Sequence, residues 1–521
     1  MLNFAMLLKM KKGGTKVAKK TVQKTYKVVM KVLNGLVLVF LAFGLLATFG
    51  MFWLFRQFPN VRMDELLYQI SAPIRGTNMD LIIDFIVTVL LPAVGIFAVC
   101  AVILHYMKTK GRRVCRAVYI AASAALVAFS SSVVWNRLDV NAYMLANSEE
   151  NQMFIEDNYV DPVDKKISFP EKKRNLLFIY LESMETTFAS PDVGGAFNED
   201  LIPELTQLSL ENENFSGGHT VLNGPTALAG STWTVGSMFS STSGLPLKIS
   251  LSNRNAMNKQ SQFFETTTTL GDILKDNGYS NTLLVGSDAA FGGRKLYFES
   301  HGDYEIMDLY TQRAAHKLPT DDYKVWWGYE DLYLYQFAQE KLTELGQSDE
   351  PFNMTMLTVD THKENGYKCS LCGNEHPDDQ YADVYSCASK QLAKFIDWCK
   401  QQPWYENTTI VITGDHPTMD VDFCKDVPHD YNRKVYMTIL NSPTENKAPT
   451  RYREFSTFDT FPTTIAALGA TIEGERLGLG TNLYSGLDTL TEQLGVKDEN
   501  AKLMADSEFM EERANLDDPD N

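Results

Sequence analysis

Positive charge is scarce in this chain of 521 residues. Lysine and arginine together number 48, against 65 aspartates and glutamates, which gives a formal net charge of −17 at pH 7. Nucleic-acid binding requires cationic patches that neutralise phosphates, so this balance argues against a nucleic-acid partner. The excess acid lies mainly in the later part of the chain, especially after Asp498. This acidic end is predicted to be solvated and disordered.

Long apolar runs are absent from most of the chain and occur only within its first 135 residues. Leu36–Phe55, Leu81–Met107 and Val114–Trp135 are each long enough to cross a bilayer. Pro92 interrupts the second run, which a membrane helix tolerates. The first run starts too late and is too long for a cleaved signal peptide. The sequence therefore predicts three transmembrane helices.

The distribution of lysine and arginine predicts the topology of these helices. The segment before the first run and the loop between the second and third runs are both strongly basic. The loop between the first and second runs has fewer basic residues, and they are mixed with acids. By the positive-inside rule, the N-terminus and the second loop are cytoplasmic. We therefore predict a multi-pass protein of the cell membrane in which everything after Trp135 is extracytoplasmic.

Five regions are expected along the chain. They are a cytoplasmic basic segment at 1–35, a membrane domain at 36–135, a linker at 136–172, an extracytoplasmic catalytic domain at 173–490 and an acidic tail at 491–521.

Cysteine is also rare, with seven residues. Cys369 and Cys372 have the spacing of a zinc site, His376 is close in sequence, and Cys387 is the one plausible further ligand. Extracytoplasmic proteins can form disulfides. Disulfide pairing within a surface insertion is therefore favoured, with structural zinc and free thiols as the alternatives.

Alternating strand and helix patterns follow the linker. Apolar strands are predicted at 175–181, 281–285, 353–359, 409–412 and 435–440, and helices at 267–277, 329–345 and 382–400. This order is typical of an α/β domain with a mainly parallel central sheet flanked by helices. Such sheets bind their ligands beyond the carboxyl ends of the strands.

Acidic and imidazole side chains follow two of these strands. Glu182 ends the first strand, and Asp415 and His416 follow a later one after Gly414, which is expected to turn the backbone sharply. Carboxylates and imidazole are suitable ligands for Zn²⁺ or Mn²⁺. A single acidic residue at the end of a strand usually just leads into a loop and has no functional role. Three potential ligands at one sheet edge instead indicate a metal site.

A segment rich in small residues and hydroxyls, residues 230–238, offers a nucleophile. A threonine at the start of a helix there would lie at the positive end of the helix dipole, and a metal on its oxygen would activate it. The alternative is that Thr232 or Thr234 simply caps the helix. The residues alone favour the cap.

The order of these motifs resembles a known family. A strand running into Glu182 precedes the threonine segment, the stretch 358–362 and then Gly414, Asp415 and His416. This order resembles the sulfatase-like branch of the alkaline phosphatase superfamily. Within that branch, the chain is similar to lipoteichoic acid synthases and to membrane-anchored phosphoglycerol transferases that decorate periplasmic glucans. The resemblance covers about residues 175–483, including the closing run Arg476–Leu483.

The resemblance implies an alkaline-phosphatase-like domain and a role for each matching residue. It implies metal ligation by Glu182, Asp415 and His416, with Mn²⁺ as the expected ion and Mg²⁺ or Zn²⁺ as alternatives. Thr234 matches the nucleophile, which also ligates the metal, and Thr232 is the reserve candidate. The implied substrate-binding residues are His362, Arg294 and Asp288. The implied reaction transfers a phosphoglycerol head group from a phospholipid donor, through a phosphothreonine, to a glycan or teichoic-acid-type acceptor.

Several departures leave other activities open. The synthases have a tryptophan two residues before the arginine, where this chain has Gly292, and Asp288 is one residue out of register. The synthases usually have five membrane helices, so three favour the glucan-type relatives. A phosphoethanolamine transferase, a sulfatase-type hydrolase and a non-catalytic protein that binds lipid or glycan are the alternatives. The sulfatase reaction requires a Cys/Ser-x-Pro-x-Arg motif, which the threonine segment lacks.

Overall fold

Three helices near the start of the chain are long and apolar enough to cross a membrane. They span Gln23–Gln57, Leu81–Tyr106 and Thr109–Arg137. The first belongs to a continuous helix over Lys16–Gln57, and the second combines helices over Met79–Phe85 and Leu91–Tyr106 with a π-helical stretch at Ile86–Leu90. They match the three predicted apolar runs. The computed structural model describes residues 16–59, 61–71, 79–248 and 263–514.

The chain divides into two compact units. One contains residues 1–59 and 78–140 and includes the three apolar helices, and the other contains residues 60–77 and 141–521. The second unit, here called the catalytic unit, therefore includes part of the connection between the first two apolar helices. Its boundaries differ from the predicted linker and catalytic domain.

Ten strands are described in the catalytic unit. They are β1 Ile167–Ser168, β2 Asn175–Leu181, β3 Ser280–Val285, β4 Glu305–Met307, β5 Phe352–Leu357, β6 Thr408–Gly414, β7 Met437–Leu440, β8 Thr471–Ile472, β9 Arg476–Leu477 and β10 Gly480–Thr481. Six of them form the central sheet in the order β4-β3-β5-β2-β6-β7, and all neighbouring strands are parallel except the antiparallel pair β6 and β7. Two further antiparallel pairs, β1 with β8 and β9 with β10, lie outside this sheet.

Helices connect these strands. After the apolar helices, the described α-helices are Val140–Ala146, Glu149–Gln152, Phe154–Asn158, Pro203–Glu211, Thr234–Ser243, Leu270–Asp276, Arg294–Ser300, Leu309–Ala314, Asp331–Leu345, Gln380–Lys400, Thr460–Ala467, Leu490–Leu494, Val496–Leu503 and Glu508–Ala514.

The sheet separates two hydrophobic cores. Successive side chains of a strand point to opposite faces, and along β2 the residues Leu176, Phe178 and Tyr180 contribute to one core while Leu177 and Ile179 contribute to the other. Every residue of β2 is buried, as expected for a strand covered on both faces. The predicted α/β fold with a mainly parallel sheet is confirmed.

The acidic end of the chain is ordered further than its composition predicts. Three helices occupy residues 490–514, and Leu503, Met510 and Ala514 are buried in one of the two cores. The Lys248 ammonium donates a hydrogen bond to the carbonyl of Leu503 at 2.6 Å. Apolar side chains at helical spacing outweigh the surrounding charge here. Residues 515–521 of the predicted tail lie outside the described residues.

A short helix, Met63–Ser71, comes from the connection between the first two apolar helices and packs within the catalytic unit. The Tyr68 hydroxyl donates to the carbonyl of Gly292 at 2.5 Å, and its ring lies 5.6 Å from that of Trp233. This helix therefore supports two segments that precede predicted site residues, one before Thr234 and one before Arg294.

Candidate active site

The register of the central sheet brings two predicted metal ligands together. Strands β2 and β6 are parallel neighbours, and Leu181 pairs with Gly414 at their carboxyl ends. The next residues, Glu182 and Asp415, therefore leave the sheet side by side. The backbone N–H of Asp415 still donates to the Leu181 carbonyl at 3.1 Å.

Glu182, Asp415 and His416 form a tight, buried cluster, here called the acid–imidazole cluster. The Nε2 atom of His416 lies 3.6 Å from Oε1 of Glu182 and 3.4 Å from Oδ2 of Asp415. One potential ligand atom from each of the three residues lies within 4.8 Å of the other two. The predicted ligands are thus brought together.

Gly414 was expected to turn the backbone sharply, but it is the last residue of strand β6. A Cβ atom at this position would lie 1.9 Å from the carbonyl oxygen of Met184. The glycine is therefore needed for the close approach of the segment that follows Glu182. It allows the two ligand-bearing strand ends to lie against each other.

The electrostatics of the cluster suit a cation. Burial and the neighbouring Asp415 carboxylate raise the pKa of Glu182 well above its ordinary value. The Oδ2 atom of Asp415 is buried without a hydrogen-bond partner among the described residues. Two buried carboxylates destabilise each other unless a positive charge offsets them.

The orientation of His416 also fits metal ligation. Its Nδ1 atom lies 3.0 Å from the carbonyl oxygen of Pro417, which can only accept a hydrogen bond. Nδ1 therefore carries a proton that it donates to this carbonyl, and Nε2 is the ring nitrogen that lies beside the two carboxylates and is placed to bind a metal. A mixed oxygen and nitrogen ligand set is suitable for a divalent ion such as Zn²⁺ or Mn²⁺.

A strained turn after Glu182 holds the carboxylates in place. Ser183 has a positive φ of 53°, which is costly for a residue other than glycine. Its backbone N–H donates to Oδ1 of Asp415 at 2.7 Å, and its hydroxyl donates to Oε1 of Glu182 at 2.8 Å. Ser183 was not identified from the sequence, although a polar residue directly after a strand-end acid was a usable signal.

Thr234 faces the acid–imidazole cluster. It is the first residue of the helix Thr234–Ser243, and its Oγ1 atom lies 3.3 Å from Nε2 of His416. The residue at the N-cap is Trp233, which provides no side-chain cap, so the expectation that Thr232 or Thr234 caps this helix is wrong. The Thr232 hydroxyl is buried without a partner among the described residues.

The predicted nucleophile and two substrate-binding residues line one open pocket. Thr234 and Glu182 lie on it together with Arg294, His362 and two aromatic residues, Phe291 and Trp327. The ring centroids of Trp327 and His362 are 4.6 Å apart. Neither Phe291 nor Trp327 was identified as a site residue from the sequence. The residues around Trp327 form no pattern that would link it to a strand end.

His362 is poised as a neutral base on this pocket. Its Nδ1 atom lies 2.7 Å from the Lys363 carbonyl, so Nδ1 carries the proton and Nε2 is free to accept one. Burial lowers the pKa of His362 to about 3. The imidazole is therefore uncharged at neutral pH in the absence of a phosphate.

Arg294 is an almost fully buried cation at 4% exposure. Its Nη2 atom donates to the Ser287 hydroxyl at 2.9 Å and to the Asp288 carbonyl at 2.8 Å, while its Nε has no partner among the described residues. Asp288 is not among the residues that line the pocket, and its carboxylate accepts the N–H of Ala290 at 2.8 Å. Asp288 therefore contacts Arg294 through its backbone carbonyl, while the Asp288 side chain stabilises the local turn at Ala290.

The loop that carries His362 is anchored by a residue that was not predicted from the sequence. The Asp331 carboxylate accepts the backbone N–H of Val359 at 2.8 Å and of Asp360 at 3.2 Å. Thr361 in turn donates its hydroxyl to the Glu182 carbonyl at 2.5 Å. These contacts tie the His362 loop to the strand end that carries Glu182. Asp331 is distant in sequence from the loop, so no local motif indicates it.

The fold and the site define an α/β domain in which a cluster suited to a divalent cation faces a threonine hydroxyl. The family model described as Sulfatase matches residues 174–470 of this chain. The chain belongs to the sulfatase family, which confirms the family prediction.

Curated relatives match the same region. Phosphoglycerol transferase I of Escherichia fergusonii is 31% identical over 324 residues, which cover 61% of this chain and 40% of the relative. The protein of the same name from Shigella flexneri is 31% identical over 325 residues, with the same coverage of each chain. The chain therefore spans about 40% of the length of these relatives.

Solved structures resemble the chain at low sequence identity. A protein in the alkaline phosphatase superfamily from Vibrio parahaemolyticus has 21% identity and a TM-score of 0.47, covering 66% of this chain and 80% of its own. The lipoteichoic acid synthase LtaP from Listeria monocytogenes has 18% identity and a TM-score of 0.46, and the match covers 64% of this chain and 81% of the LtaP chain. The lipooligosaccharide phosphoethanolamine transferase A from Neisseria meningitidis has 12% identity and a TM-score of 0.49, and the match covers 90% of this chain and 92% of the transferase chain.

Proposed function

We propose that this protein is a membrane-anchored, metal-dependent transferase. It moves a phosphoglycerol head group from a phospholipid such as phosphatidylglycerol to a hydroxyl of a cell-envelope glycan or a polyglycerolphosphate. The observation that carries this proposal is the 3.3 Å contact between Oγ1 of Thr234 and Nε2 of His416, at the acid–imidazole cluster. The name of the curated relatives, phosphoglycerol transferase I, supports the choice of head group.

Thr234 is the proposed nucleophile because its position suits an attack on phosphorus. It begins a helix of ten residues, where free backbone N–H groups and the helix dipole favour negative charge. A divalent cation held by Glu182, Asp415 and His416, for which we propose Mn²⁺, would lower the pKa of the threonine hydroxyl and offset phosphate charge.

In the first step, Oγ1 of Thr234 forms a bond to the phosphorus of the donor lipid. The bond from phosphorus to the diacylglycerol oxygen breaks, and that oxygen gains a proton as diacylglycerol leaves. Nε2 of His362, the unprotonated nitrogen of a residue on the pocket, is the proposed group that accepts the proton of the Thr234 hydroxyl and passes it to the leaving oxygen. The buried Arg294 guanidinium stabilises the charge that develops on the phosphate oxygens.

In the second step, an acceptor hydroxyl attacks the phosphodiester on Thr234. A new bond forms between the acceptor oxygen and phosphorus, the bond to Oγ1 breaks, and the threonine regains its proton. His362 receives the acceptor proton at Nε2 and passes it to Oγ1 of Thr234, just as it passed the threonine proton to the leaving oxygen in the first step. The enzyme thus returns to its starting state after one complete transfer.

The proposed topology places this chemistry outside the cytoplasm, where envelope acceptors occur. Three crossings put the first interhelical connection and the chain after the third helix on the same side. The helix Met63–Ser71 belongs to that connection and packs within the catalytic unit, which supports this arrangement. The basic N-terminus supports a cytoplasmic start.

The test uses the full-length protein in detergent, because a truncated protein that starts after the third apolar helix would lack Met63–Ser71. Fluorescent phosphatidylglycerol and Mn²⁺ are supplied, and released diacylglycerol is measured by chromatography. We expect release by the wild type and loss of release in Thr234→Ala. Mass spectrometry of the protein stopped during turnover should find phosphoglycerol on Thr234.

Thr232→Ala is the matched control and should retain release. A phosphoglycerol adduct on Thr232 would instead overturn the assignment of the nucleophile. Release of diacylglycerol from phosphatidylethanolamine alone would show that the transferred head group is phosphoethanolamine. Hydrolysis of sulfate esters without cleavage of any lipid would show that the protein is a sulfatase-type hydrolase. Absence of release from any anionic or zwitterionic phospholipid would contradict the transferase proposal and favour a binding role.

A further inference from the structure

Three thiols meet away from the acid–imidazole cluster, and they are here called the thiol cluster. Cys369 and Cys372 lie in the loop that follows β5, and Cys387 lies in the helix Gln380–Lys400. The Sγ atom of Cys369 is 3.7 Å from that of Cys372 and 3.9 Å from that of Cys387. All three are free thiols, so the favoured disulfide is not formed in the described structure.

The spacing of the sulfur atoms matches a tetrahedral metal site. Two sulfurs bound to one Zn²⁺ are about 3.8 Å apart, because Zn–S bonds are about 2.3 Å long and meet at tetrahedral angles. Both sulfur–sulfur separations in the thiol cluster fall close to this value. A disulfide would use only two of the three sulfurs and would require Cys369 to choose between two equally near partners.

Hydrogen-bond donors point at the sulfurs. The backbone N–H of Leu371 donates to Sγ of Cys369 at 3.4 Å, and the Gln391 side-chain amide donates to Sγ of Cys387 at 3.4 Å. Donors of this kind stabilise thiolates, the form of cysteine that binds metals. Cys369 and Cys387 are buried, and the partly exposed Cys372 leaves one side of the cluster open to solvent.

We propose that Cys369, Cys372 and Cys387 bind one Zn²⁺ ion through their thiolates. Soft thiolate ligands select Zn²⁺ over Mg²⁺ or Mn²⁺, so this site differs in metal preference from the acid–imidazole cluster. A water molecule on the open side completes the four ligands. The site therefore takes a second ion, which the proposed transfer reaction does not use.

The ion would fasten the later part of the loop that carries His362 to the helix Gln380–Lys400. Tyr367 lies just before Cys369, and its N–H donates to the Asp360 carbonyl at 2.7 Å, two residues from His362. On the other side, Lys368 pairs with Asp383 of the helix at 2.6 Å. Zinc would add a covalent-strength link between the same loop and helix, with a positioning role rather than a catalytic one.

Cobalt spectroscopy tests the proposal independently of any enzymatic activity. Full-length protein is purified with reductant, stripped with a chelator and reloaded with Co²⁺. Thiolate ligands produce sulfur-to-cobalt charge-transfer absorption in the near ultraviolet, which carboxylate and imidazole ligands do not. We expect this band in the wild type, its retention in Asp415→Asn and its loss in Cys387→Ala.

Cys399→Ala is the matched control, because Cys399 is buried on the same helix and should leave the band unchanged. If Cys387→Ala fails to fold, alkylation of the wild type decides: Zn²⁺ should protect the peptides that contain the three thiols. No charge-transfer band in the wild type would overturn the proposal. A disulfide between any two of the three cysteines in protein isolated without reductant would also overturn it.

Discussion

The two ligand clusters of the catalytic unit are assembled in different ways. In the acid–imidazole cluster, Glu182 and Asp415 are distant in sequence and are brought together by the parallel register of β2 and β6. In the thiol cluster, Cys369, Cys372 and Cys387 are near in sequence and are joined by one loop and one helix.

Under our two proposals, the acid–imidazole cluster serves the reaction and the thiol cluster supports a loop, and the difference in assembly suits these two roles. Backbone hydrogen bonds between neighbouring strands make a sheet rigid. Side chains at the edge of the sheet are therefore held in accurate positions, which suits groups that take part in a reaction. A cluster made from a loop and a helix can instead stabilise that loop without changing the sheet. The following predictions test whether the two clusters can be changed independently.

Asp415→Asn should have the largest effect on this comparison. The change removes the negative charge of a proposed ligand from the acid–imidazole cluster, where a metal would contribute several kcal/mol to the reaction, so turnover should fall by about 10³-fold or more. Metal analysis of the full-length protein should find the ion of this cluster lost and the zinc of the thiol cluster retained. Asp426→Asn, at an exposed position in the following loop, is the control. Loss of both metals together would show that the clusters are not independent.

Arg294→Lys should have an intermediate effect and should leave both metals bound. Lysine keeps the charge but cannot reproduce the planar guanidinium that contacts Ser287 and the Asp288 carbonyl. We expect kcat/KM to fall by about 10-fold to 100-fold, because one stabilising donor of the transition state is displaced. Arg313→Lys, outside the pocket, should be close to wild type. An unchanged kcat/KM in Arg294→Lys would remove this residue from the reaction.

Tyr68→Phe should have the smallest effect and should act only beside the acid–imidazole cluster. The change leaves the Gly292 carbonyl without its hydroxyl donor, which should lower the free energy of unfolding by about 1 kcal/mol. Denaturant titration of the full-length protein in detergent measures this, with Tyr310→Phe, at an exposed tyrosine, as the control. Cobalt absorption from the thiol cluster should not change. A change in that absorption would link Met63–Ser71 to both clusters.

Much of the fold could be predicted from the sequence because its signals are local. Apolar runs of sufficient length predicted the three apolar helices, and fully apolar stretches predicted β2 and β6 within two residues. The predicted ligands Glu182, Asp415 and His416 could be found because strands of a parallel sheet end at a common edge. Asp331, which anchors the loop that carries His362, could not be found in this way, because its contacts with Val359 and Asp360 depend on the folded loop.

The sequence by itself determined the family, the strand ends that carry the candidate ligands and the order of apolar helices, since each depends on short motifs or on periodicity. Only the tertiary structure decided that Thr234 rather than Thr232 faces His416, that Met63–Ser71 joins the catalytic unit, and that Cys387 lies beside Cys369. These outcomes depend on helix phase and on packing between distant segments. Such contacts are set by the burial of whole surfaces and are not encoded in any single stretch of the chain.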